Sequence, residues 1–354
     1  MDWVKPKGYT EAQIDHAGEI LISDNSSIEE INNALEILDN WRAIHSYPMH
    51  IFKMRIKTKL PIIDKNGIGV QRLKRIPAII NKLNRSKEGR MRKLKLSQMQ
   101  DLGGCRAVLS SIELVRKFAQ DYFIKGDLKH KRVTEKDFIK TPRNSGYRGI
   151  HLIYKFYSNS RKKIYNGLLV EVQIRTRLQH LWATAVETVG FFTRQAIKSS
   201  EADEEWLDFF KLVSSAFAMM ENSPCIPNTP INEKELYLKI KEKEAQLNVI
   251  RIMKGWKRAL KIFKESKRKR RYQYYLLELN ITEEKLIVSA YTKNQEKEAI
   301  IKYSEIEKRN SGKKEFDVVL VGADTSTDLE KAYPNYFVDT DEFLQFLTQI
   351  VHKY

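Results

Sequence analysis

The segment "GLLVEVQIRT" at residues 167–176 constrains the fold of this chain more than any other stretch. Apolar and polar residues alternate along it, which is the period of a β-strand with one buried face. The polar face would carry Glu171, Gln173 and Arg175. Three such groups need polar surroundings, because burying unpaired charge is unfavourable. A plain solvent-facing strand is the simpler interpretation of this stretch taken alone.

Strands and helices alternate around this segment. The pattern predicts a strand in "DLGGCRAVLS" (101–110), a helix in "IELVRKFAQDYF" (112–123) and a strand in "GIHLIYKF" (149–156). A helical pattern, "RLQHLWATAVETVGFF", begins directly after the segment at residues 167–176. This order over about residues 50–195 predicts a mixed α/β domain with one main sheet flanked by helices.

The chain also contains features that divide it. Ser27 and Glu30 have capping-box spacing and predict a helix after them, with its apolar side in the core. Prolines crowd residues 224–230 and interrupt any regular element. A long basic helix is expected from Lys241 to Tyr274, and three strands and a final helix follow it. We therefore predict a main domain at 1–222, a linker with basic helices at 223–271, and a small α+β domain at 272–354.

Charge and cysteine content narrow the class of protein. The formal net charge is +18, with 63 Lys and Arg against 45 Asp and Glu. That surplus favours polyanionic partners such as nucleotides or nucleic acid, although a merely soluble basic protein would share it. The two cysteines, Cys105 and Cys225, argue against a disulfide framework. We find no long apolar run and no signal-peptide pattern, so we expect a cytoplasmic protein without a membrane partner.

Two carboxylates and a group of cations are candidate site residues. Asp101 precedes one predicted strand and Glu171 lies on another, so both could hold Mg²⁺ at one end of the sheet. A predicted helix in "QRLKRIPAIINKLNR" would place its basic residues on one phosphate-binding flank, unless they form a solvated helix face. These residues are Arg72, Lys74, Lys82 and Arg85. The chain contains no GxxxxGK[ST] loop.

An aromatic ring and a cation lie between glycines in "NSGYRGIHLIYKF" (144–156). Tyr147 and Arg148 stand just before the predicted strand, on what we expect to be a flexible hairpin. A ring in that position can stack on a purine while nearby cations hold phosphates. Such stacking does not discriminate between purines.

Five motifs resemble, in order and spacing, the synthetase domain of the RelA/SpoT alarmone enzymes. They are "RLKRIPAIINKL", "DLGGCRAVL", "TPRNSGYRGIHL", "EVQIRT" and "HLWATAVE", within about residues 40–195. The resemblance implies a mixed-sheet, nucleotidyltransferase-like fold. It also implies transfer of the β,γ-pyrophosphate of ATP to a ribose 3′-hydroxyl, with Mg²⁺ as cofactor.

The same resemblance implies roles for individual residues. Asp101 and Glu171 would position Mg²⁺, and Glu171 would also orient or deprotonate the attacking hydroxyl. The implied ATP-binding residues are Arg72, Lys74, Lys82, Arg85 and Arg106. The implied acceptor-binding residues are Arg143, Tyr147, Arg148, His151, Gln173 and Arg175. Pro77 and Ala78 stand where the family often has serine, which is a departure from the family pattern.

The layout as a whole resembles the fused toxin–antitoxin branch of small alarmone synthetases, the CapRel type. We find no HD pattern of a hydrolase half in the residues before the synthetase motifs, so we expect no hydrolysis of the product by that route. That branch implies pyrophosphorylation of the 3′ CCA end of tRNA, a block of translation, and a pseudo-zinc-finger-like C-terminal domain that inhibits the enzyme and senses a phage protein. Tyr333 and Tyr336 in "KAYPNYFV" would be the inhibitory pair, unless they are two aromatics packed beneath a loop.

Two other hypotheses remain open at this point. The acceptor could be a purine nucleotide, which would make the protein a small alarmone synthetase that forms (p)ppGpp or (p)ppApp. The protein could also be a basic RNA-binding or ribosome-associated module that has lost catalysis. The presence of both Asp101 and Glu171 argues against the last hypothesis.

Overall fold

The computed structural model of the chain describes residues 3–74, 76–88, 94–196, 200–266, 272, 274–280, 283, 285–310, 316–322 and 336–354. The contacts divide the chain into two compact units. One is Met1–Ile139 with Arg148–Arg177, and the other is Lys140–Tyr147 with Leu178–Tyr354. The boundaries that we placed after residues 222 and 271 remain predictions, since compactness does not define a functional domain.

Five helices of the first unit lie within the described residues. They are α1 (Glu11–Ile20), α2 (Ile28–Ile44), α3 (Ser46–Ile63), α4 (Ile76–Glu88) and α5 (Ile112–Ala119). The capping box of Ser27 and Glu30 is present and starts α2, as the sequence predicts. Ala34 and Leu38 of α2 are buried, but Ile28 in its first turn is 80% exposed. The apolar pattern therefore overestimates how much of α2 faces the core.

The first unit contains a five-stranded mixed sheet. Its strands are β1 (Ile68–Leu73), β2 (Gly103–Leu109), β3 (Lys131–Asp137), β4 (Ile150–Lys155) and β5 (Leu169–Thr176). Their order is β1-β2-β5-β4-β3, with β2 and β5 parallel and the other neighbours antiparallel. This arrangement confirms the predicted mixed α/β class with one main sheet.

One face of this sheet is apolar and forms the larger core of the unit. Val172 of β5 and Leu152 of β4 are fully buried there, and they share the core with Phe52 of α3 and Phe118 of α5. A smaller core joins α1, α2 and α4 to the segment before β2. Its members are Ile14, Leu38, Ile79, Leu83, Leu96, Met99 and Leu102. The helix that carries Lys82 and the residue next to Asp101 are thus fixed by the same apolar cluster.

The second unit is mainly helical. Its described helices are α6 (Arg177–Ala196), α7 (Ser200–Met220), α8 (Glu233–Leu247), α9 (Val249–Ser266), α10 (Glu296–Arg309) and α11 (Tyr336–His352). A three-stranded antiparallel sheet, in the order β7-β6-β8, consists of β6 (Tyr274–Asn280), β7 (Lys285–Tyr291) and β8 (Phe316–Gly322). An aromatic-rich core joins α6, α7, α8, α9 and α11 to β6. None of the helices in the described part of the chain is long and apolar enough to cross a membrane.

The prediction of one long helix from Lys241 to Tyr274 is wrong. The helix α8 ends at Leu247, because Asn248 adopts the left-handed conformation with φ of 51° and ψ of 38°. Its backbone N–H donates to the Glu244 carbonyl at 2.7 Å. Asparagine tolerates this conformation better than most residues with a side chain, and it commonly ends helices in this way. The period of the apolar residues carries no sign of such a break.

Candidate active site

The second face of the main sheet is polar and gathers residues from four strands. Register places Arg72 of β1 opposite Gly104 of β2, and Gly104 opposite Glu171 of β5. Arg106 and His151 both lie opposite Gln173, from β2 and β4 respectively. Because side chains alternate along a strand, residues at matching register positions share a face. The predicted site residues of these strands therefore lie side by side. The prediction that Arg72 lies on one helix with Lys82 is wrong, because Arg72 is on β1 and the helix begins only at Ile76.

Glu171 is held by two hydrogen bonds on this face. His151 Nδ1 lies 2.8 Å from Glu171 Oε1, and the Gln173 amide Nε2 donates to Glu171 Oε2 at 2.7 Å. Since the carboxylate can only accept, the His151 proton in this bond is on Nδ1. The side chains of His151 and Glu171 are only 14% and 13% exposed. Glu171 is thus fixed in orientation and nearly enclosed.

The amide of Gln173 links this carboxylate to two guanidinium groups. Its Oε1 accepts from Arg106 Nε at 3.2 Å and from Arg175 Nη2 at 2.7 Å. Guanidinium nitrogens can only donate, so the amide oxygen must face the arginines and the amide nitrogen must face Glu171. A chain of directed hydrogen bonds therefore runs along the polar face of the sheet. It leads from Glu171 through Gln173 to Arg175 on β5 and to Arg106 on β2.

Opposing effects act on the pKa of Glu171. Burial raises it, but the hydrogen bond from His151 and the charge of that ring lower it, and the net pKa lies below the usual value. The negative charge of Asp101 also acts on Glu171 and raises its pKa. Glu171 is therefore ionised at neutral pH.

Asp101 lies between two lysines. Lys74 Nζ is 2.9 Å from one carboxylate oxygen, and Lys82 Nζ is 2.9 Å from the other. Burial raises the pKa of Asp101, but the two ammonium charges hold it below its ordinary value. Lys74 is positioned by its backbone, because its N–H donates to the Leu102 carbonyl and its own carbonyl accepts from Arg42 Nε. The prediction did not include this role of Arg42.

The donor chemistry of these carboxylates suits Mg²⁺, which prefers oxygen ligands. Within the described ranges, no group of three or more His, Cys, Asp or Glu side chains could hold a metal ion by itself. An ion at Asp101 and Glu171 would therefore need further oxygens, and Mg²⁺ in proteins usually takes them from water and from substrate phosphates.

Two predicted acceptor residues, Arg143 and Tyr147, belong to the second unit. Gly146 makes a tight turn with φ of +92°, and its N–H donates to the Arg143 carbonyl at 2.9 Å. The Gly146 carbonyl accepts from the Ser214 hydroxyl at 2.6 Å, and the Tyr147 ring contacts Trp182 edge-on with centroids 6.5 Å apart. The expectation of a flexible mount is therefore wrong, since this turn is fixed to the second unit.

The remaining predicted residues differ in what the structure describes. Arg148 and Arg175 are buried on the first unit, with 2% and 3% exposure. Arg85 lies on α4, but its side chain is outside the described part. Tyr333 lies outside the described residues, and Tyr336 begins α11 with its side chain likewise not described. The roles assigned to all these residues remain predictions.

Sequence reasoning missed the bond between His151 and Glu171. His151 was expected near the phosphates of the acceptor, on the basis of the resemblance alone. The alternation of β4 could have indicated the bond. Leu152 points into the core, so its neighbour His151 points to the other, polar face of the sheet. This alternation becomes informative only with the register that places His151 beside Gln173.

Part of the chain, including most of the main sheet, matches a known protein family. Residues 71–190 match the family model for the region found in RelA and SpoT proteins. The RelA/SpoT region so defined contains α4, all strands of the main sheet except the start of β1, and most of α6. It covers both Asp101 and Glu171.

Two curated relatives, both from Bacillus subtilis (strain 168), match parts of the chain. GTP pyrophosphokinase YwaC is 28% identical over 133 residues, which are 38% of this chain and 62% of the relative. GTP pyrophosphokinase YjbM is 29% identical over 99 residues, which are 27% of this chain and 44% of the relative. The chain thus spans about three fifths of the first relative and less than half of the second.

Solved structures of small alarmone synthetases are also similar in part. Small alarmone synthetase 1 from Bacillus subtilis bound to its product pppGpp is 20% identical, with a TM-score of 0.41, over 50% of this chain and 88% of that one. Small alarmone synthetase 2 from Bacillus subtilis is 23% identical, with a TM-score of 0.39, over 49% and 92%.

Proposed function

We propose that the RelA/SpoT region is an ATP-dependent pyrophosphokinase that transfers the β,γ-pyrophosphate of ATP to the 3′-hydroxyl of a purine nucleotide. The observation that carries this proposal is a pair of held carboxylates in the first unit: Glu171 takes hydrogen bonds from His151 and Gln173, and Asp101 pairs with Lys74 and Lys82. The match of residues 71–190 and the names of the two curated relatives support it.

The lysines are the residues that would receive the donor phosphates. Lys74 and Lys82 pair with Asp101, and this neutralises a carboxylate that would otherwise repel ATP. When phosphates bind, the ammonium groups can be shared between them and Asp101. Mg²⁺ held by Asp101 and Glu171 would offset charge on the transferred group. Transfer of this kind depends mainly on alignment and on charge stabilisation.

Glu171 has a narrower role than that of a strong base. A general base works best with a pKa near the working pH, but the contacts of Glu171 hold its pKa below the ordinary carboxylate value. His151 and Gln173 fix both oxygens in place. We therefore assign to Glu171 the orientation of the attacking hydroxyl, and acceptance of its proton only as the bond to phosphorus forms.

The test is incubation of the purified chain with ATP labelled in the β or γ position, Mg²⁺ and one acceptor at a time. We expect AMP formation and transfer of both labels to GDP, GTP or ADP. Glu171→Gln and Asp101→Asn should abolish transfer, and chelation of Mg²⁺ should do the same. Release of labelled inorganic phosphate without labelled acceptor would contradict the proposal.

A second candidate acceptor is the 3′ CCA end of tRNA, because the net charge of +18 suits a large polyanion better than a single nucleotide. Transfer to tRNA would block translation. In this hypothesis residues 272–354 inhibit the enzyme, with Tyr333 and Tyr336 in the ATP site. Binding of a phage structural protein would relieve the inhibition, as part of anti-phage defence. Such substrates would place the enzyme in the cytoplasm.

The two versions separate in one assay and one growth test. Labelling of deacylated tRNA with little labelling of GDP would favour tRNA, and the opposite result would leave the nucleotide acceptor. Expression of the Tyr333→Ala/Tyr336→Ala variant should arrest growth if the tyrosines inhibit the enzyme. Addition of Glu171→Gln should restore growth, whereas normal growth of the double tyrosine variant would remove self-inhibition by this pair.

A further inference from the structure

A cavity of about 320 Å³ lies in the first unit, between α3, the chain just before β3 and the chain just after β4. The helix α3 covers the apolar face of the main sheet, whereas Glu171 and Gln173 are on the polar face. The cavity is therefore separate from the candidate active site. Its size is at the lower end of the range for small-molecule sites.

Arg55 supplies a fixed cation to this cavity. Its Nε donates to the Tyr122 carbonyl at 2.8 Å, and its Nη2 donates to Asp127 Oδ1 at 2.7 Å. The described part of the chain offers no partner for Nη1. The Arg55 side chain is only 16% exposed, but that of Asp127 is 89% exposed. An exposed ion pair contributes little, so an incoming anion can take the place of Asp127 without moving the guanidinium.

His130 supplies a fixed neutral donor. Its ring lies between Phe52 and Phe156, with centroids 4.9 Å and 4.8 Å away. The Tyr157 N–H donates to His130 Nδ1 at 3.2 Å, so the proton of the neutral ring is on Nε2. Burial lowers the pKa of His130, and the charge of Arg55 adds to this effect. The ring is thus held in one orientation as a hydrogen-bond donor close to Arg55.

The rest of the lining suits a flat organic group attached to an anion. Tyr157 is 53% exposed, and it lines the cavity together with Phe52 and the exposed Lys129. Aromatic faces stack on nucleobases with little dependence on the base. Arg55 and Lys129 against Asp127 leave a positive lining, and an arginine beside a neutral histidine suits a phosphate group.

We propose that this cavity binds a nucleoside monophosphate, with the phosphate on Arg55 and His130 and the base on Tyr157. The ligand would displace the Asp127 carboxylate from Arg55. Nothing in this assignment depends on the pyrophosphokinase proposal, because the residues involved lie on the other side of the sheet.

The test is calorimetric titration of the full chain with AMP, without any other nucleotide that could occupy the cavity. We expect AMP to bind, and Arg55→Met and His130→Phe each to weaken binding at least tenfold. The phenylalanine keeps the stacking between Phe52 and Phe156. Asp127→Asn should strengthen binding several-fold, because it removes the carboxylate that competes with phosphate. This residue is exposed, so the variant should fold normally.

Adenosine and inorganic phosphate separate the two halves of the ligand. Both should bind more weakly than AMP. Equal binding of adenosine and AMP would overturn the phosphate assignment, and equal binding of phosphate and AMP would overturn the base assignment. A second measurement needs no substitution: the ¹⁵N signal of His130 Nε2 should shift with AMP. Absence of AMP binding, or Asp127→Asn with unchanged affinity, would overturn the proposal as a whole.

Discussion

Gly103 and Gly104 begin β2, and their missing side chains face opposite sides of the sheet. A Cβ at Gly103 would lie 3.1 Å from the Cβ of His45, which is shorter than most contacts that Cβ atoms make in proteins. A Cβ at Gly104 would lie 3.8 Å from the Cβ and 3.9 Å from Oε2 of Glu171, both ordinary distances. The protein therefore has room for a methyl group at Gly104, between Arg72 and Glu171 on the polar face.

We expect Gly104→Ala to fold as well as the native chain, since alanine in a strand is about 0.5 kcal/mol more favourable than glycine. Its pyrophosphate transfer should fall at least tenfold in kcat/KM, because the methyl group fills the floor between Arg72 and Glu171 where phosphates would approach. Thermal unfolding and initial rates would measure the two effects.

The matched variant is Gly103→Ala, on the other face of the same strand. It should lose about 1–3 kcal/mol of stability through overpacking against His45, with activity per folded molecule retained. The same transfer rate in native protein and Gly104→Ala would show that this space is not used. An inactive native chain would instead count against the proposed function.

His45 gives the first unit a dependence on pH. The ring is 1% exposed, its Nδ1 lies 2.7 Å from the Trp41 carbonyl, and burial lowers its pKa to about 4. The unfolded chain binds a proton near pH 6.5, and the folded chain does not until about pH 4. Stability from this group is therefore complete above pH 6.5 and decreases by about 3 kcal/mol as the pH falls to about 4.

Urea unfolding at pH 7 and at pH 4.5 would measure this decrease, with His45→Asn as the comparison. The variant should be less stable at pH 7 but should lose less on acidification. Burial also lowers the pKa of His130, which acts in the same direction. The change of the unfolding free energy with pH should therefore be smaller in the variant than in the native protein, but not absent. An equal slope in both proteins would mean that His45 is not buried as a neutral ring.

At the scale of elements, the break between α8 and α9 depends on the backbone of Asn248. In the left-handed region an ordinary side chain is less favourable by about 1 kcal/mol, whereas glycine is not. We expect Asn248→Ala to lower the free energy of unfolding by about 1 kcal/mol, and Asn248→Gly to leave it nearly unchanged. The hydrogen bond to the Glu244 carbonyl uses the backbone and is kept in both. Equal stability of the two variants in urea would contradict this account.

The elements with a strong period could be predicted from the sequence. The alternation of β5 gives both its buried face and its polar face, and the capping box gives the start of α2 at Ile28. The left-handed Asn248 could not be predicted, because one dihedral angle leaves no periodic pattern. The fixed turn at Gly146 depends on Ser214, a residue far away in the sequence, so the local motif could not show it.

The same limit holds for the candidate site. Its residue types and their faces follow from local sequence, including Glu171 and Gln173 on one side of β5. Their partners do not, because the bond from His151 depends on register and the pairing of Lys74 with Asp101 depends on how two loops meet. A motif thus supplies the groups, but the contacts that set their charge come from the tertiary structure.

At the scale of the whole molecule, the net charge of +18 makes a prediction about the acceptor. Binding that neutralises phosphates releases counterions, so affinity for a single-stranded or duplex nucleic acid falls steeply with salt. If the protein contacts about three phosphates of tRNA, kcat/KM for tRNA should fall at least about tenfold between 50 and 200 mM salt. The value for GDP, which offers fewer charges, should fall much less.

Periodate-oxidised tRNA is the matched control, because it keeps every phosphate but lacks the terminal hydroxyl that would accept the group. It should receive no label, and it should inhibit labelling of native tRNA with the same steep dependence on salt. GDP-dependent transfer measured in its presence shows whether both acceptors share one site. A flat response to salt with every acceptor would mean that the positive surface is not used in acceptor binding. The charge would then no longer favour tRNA over a nucleotide.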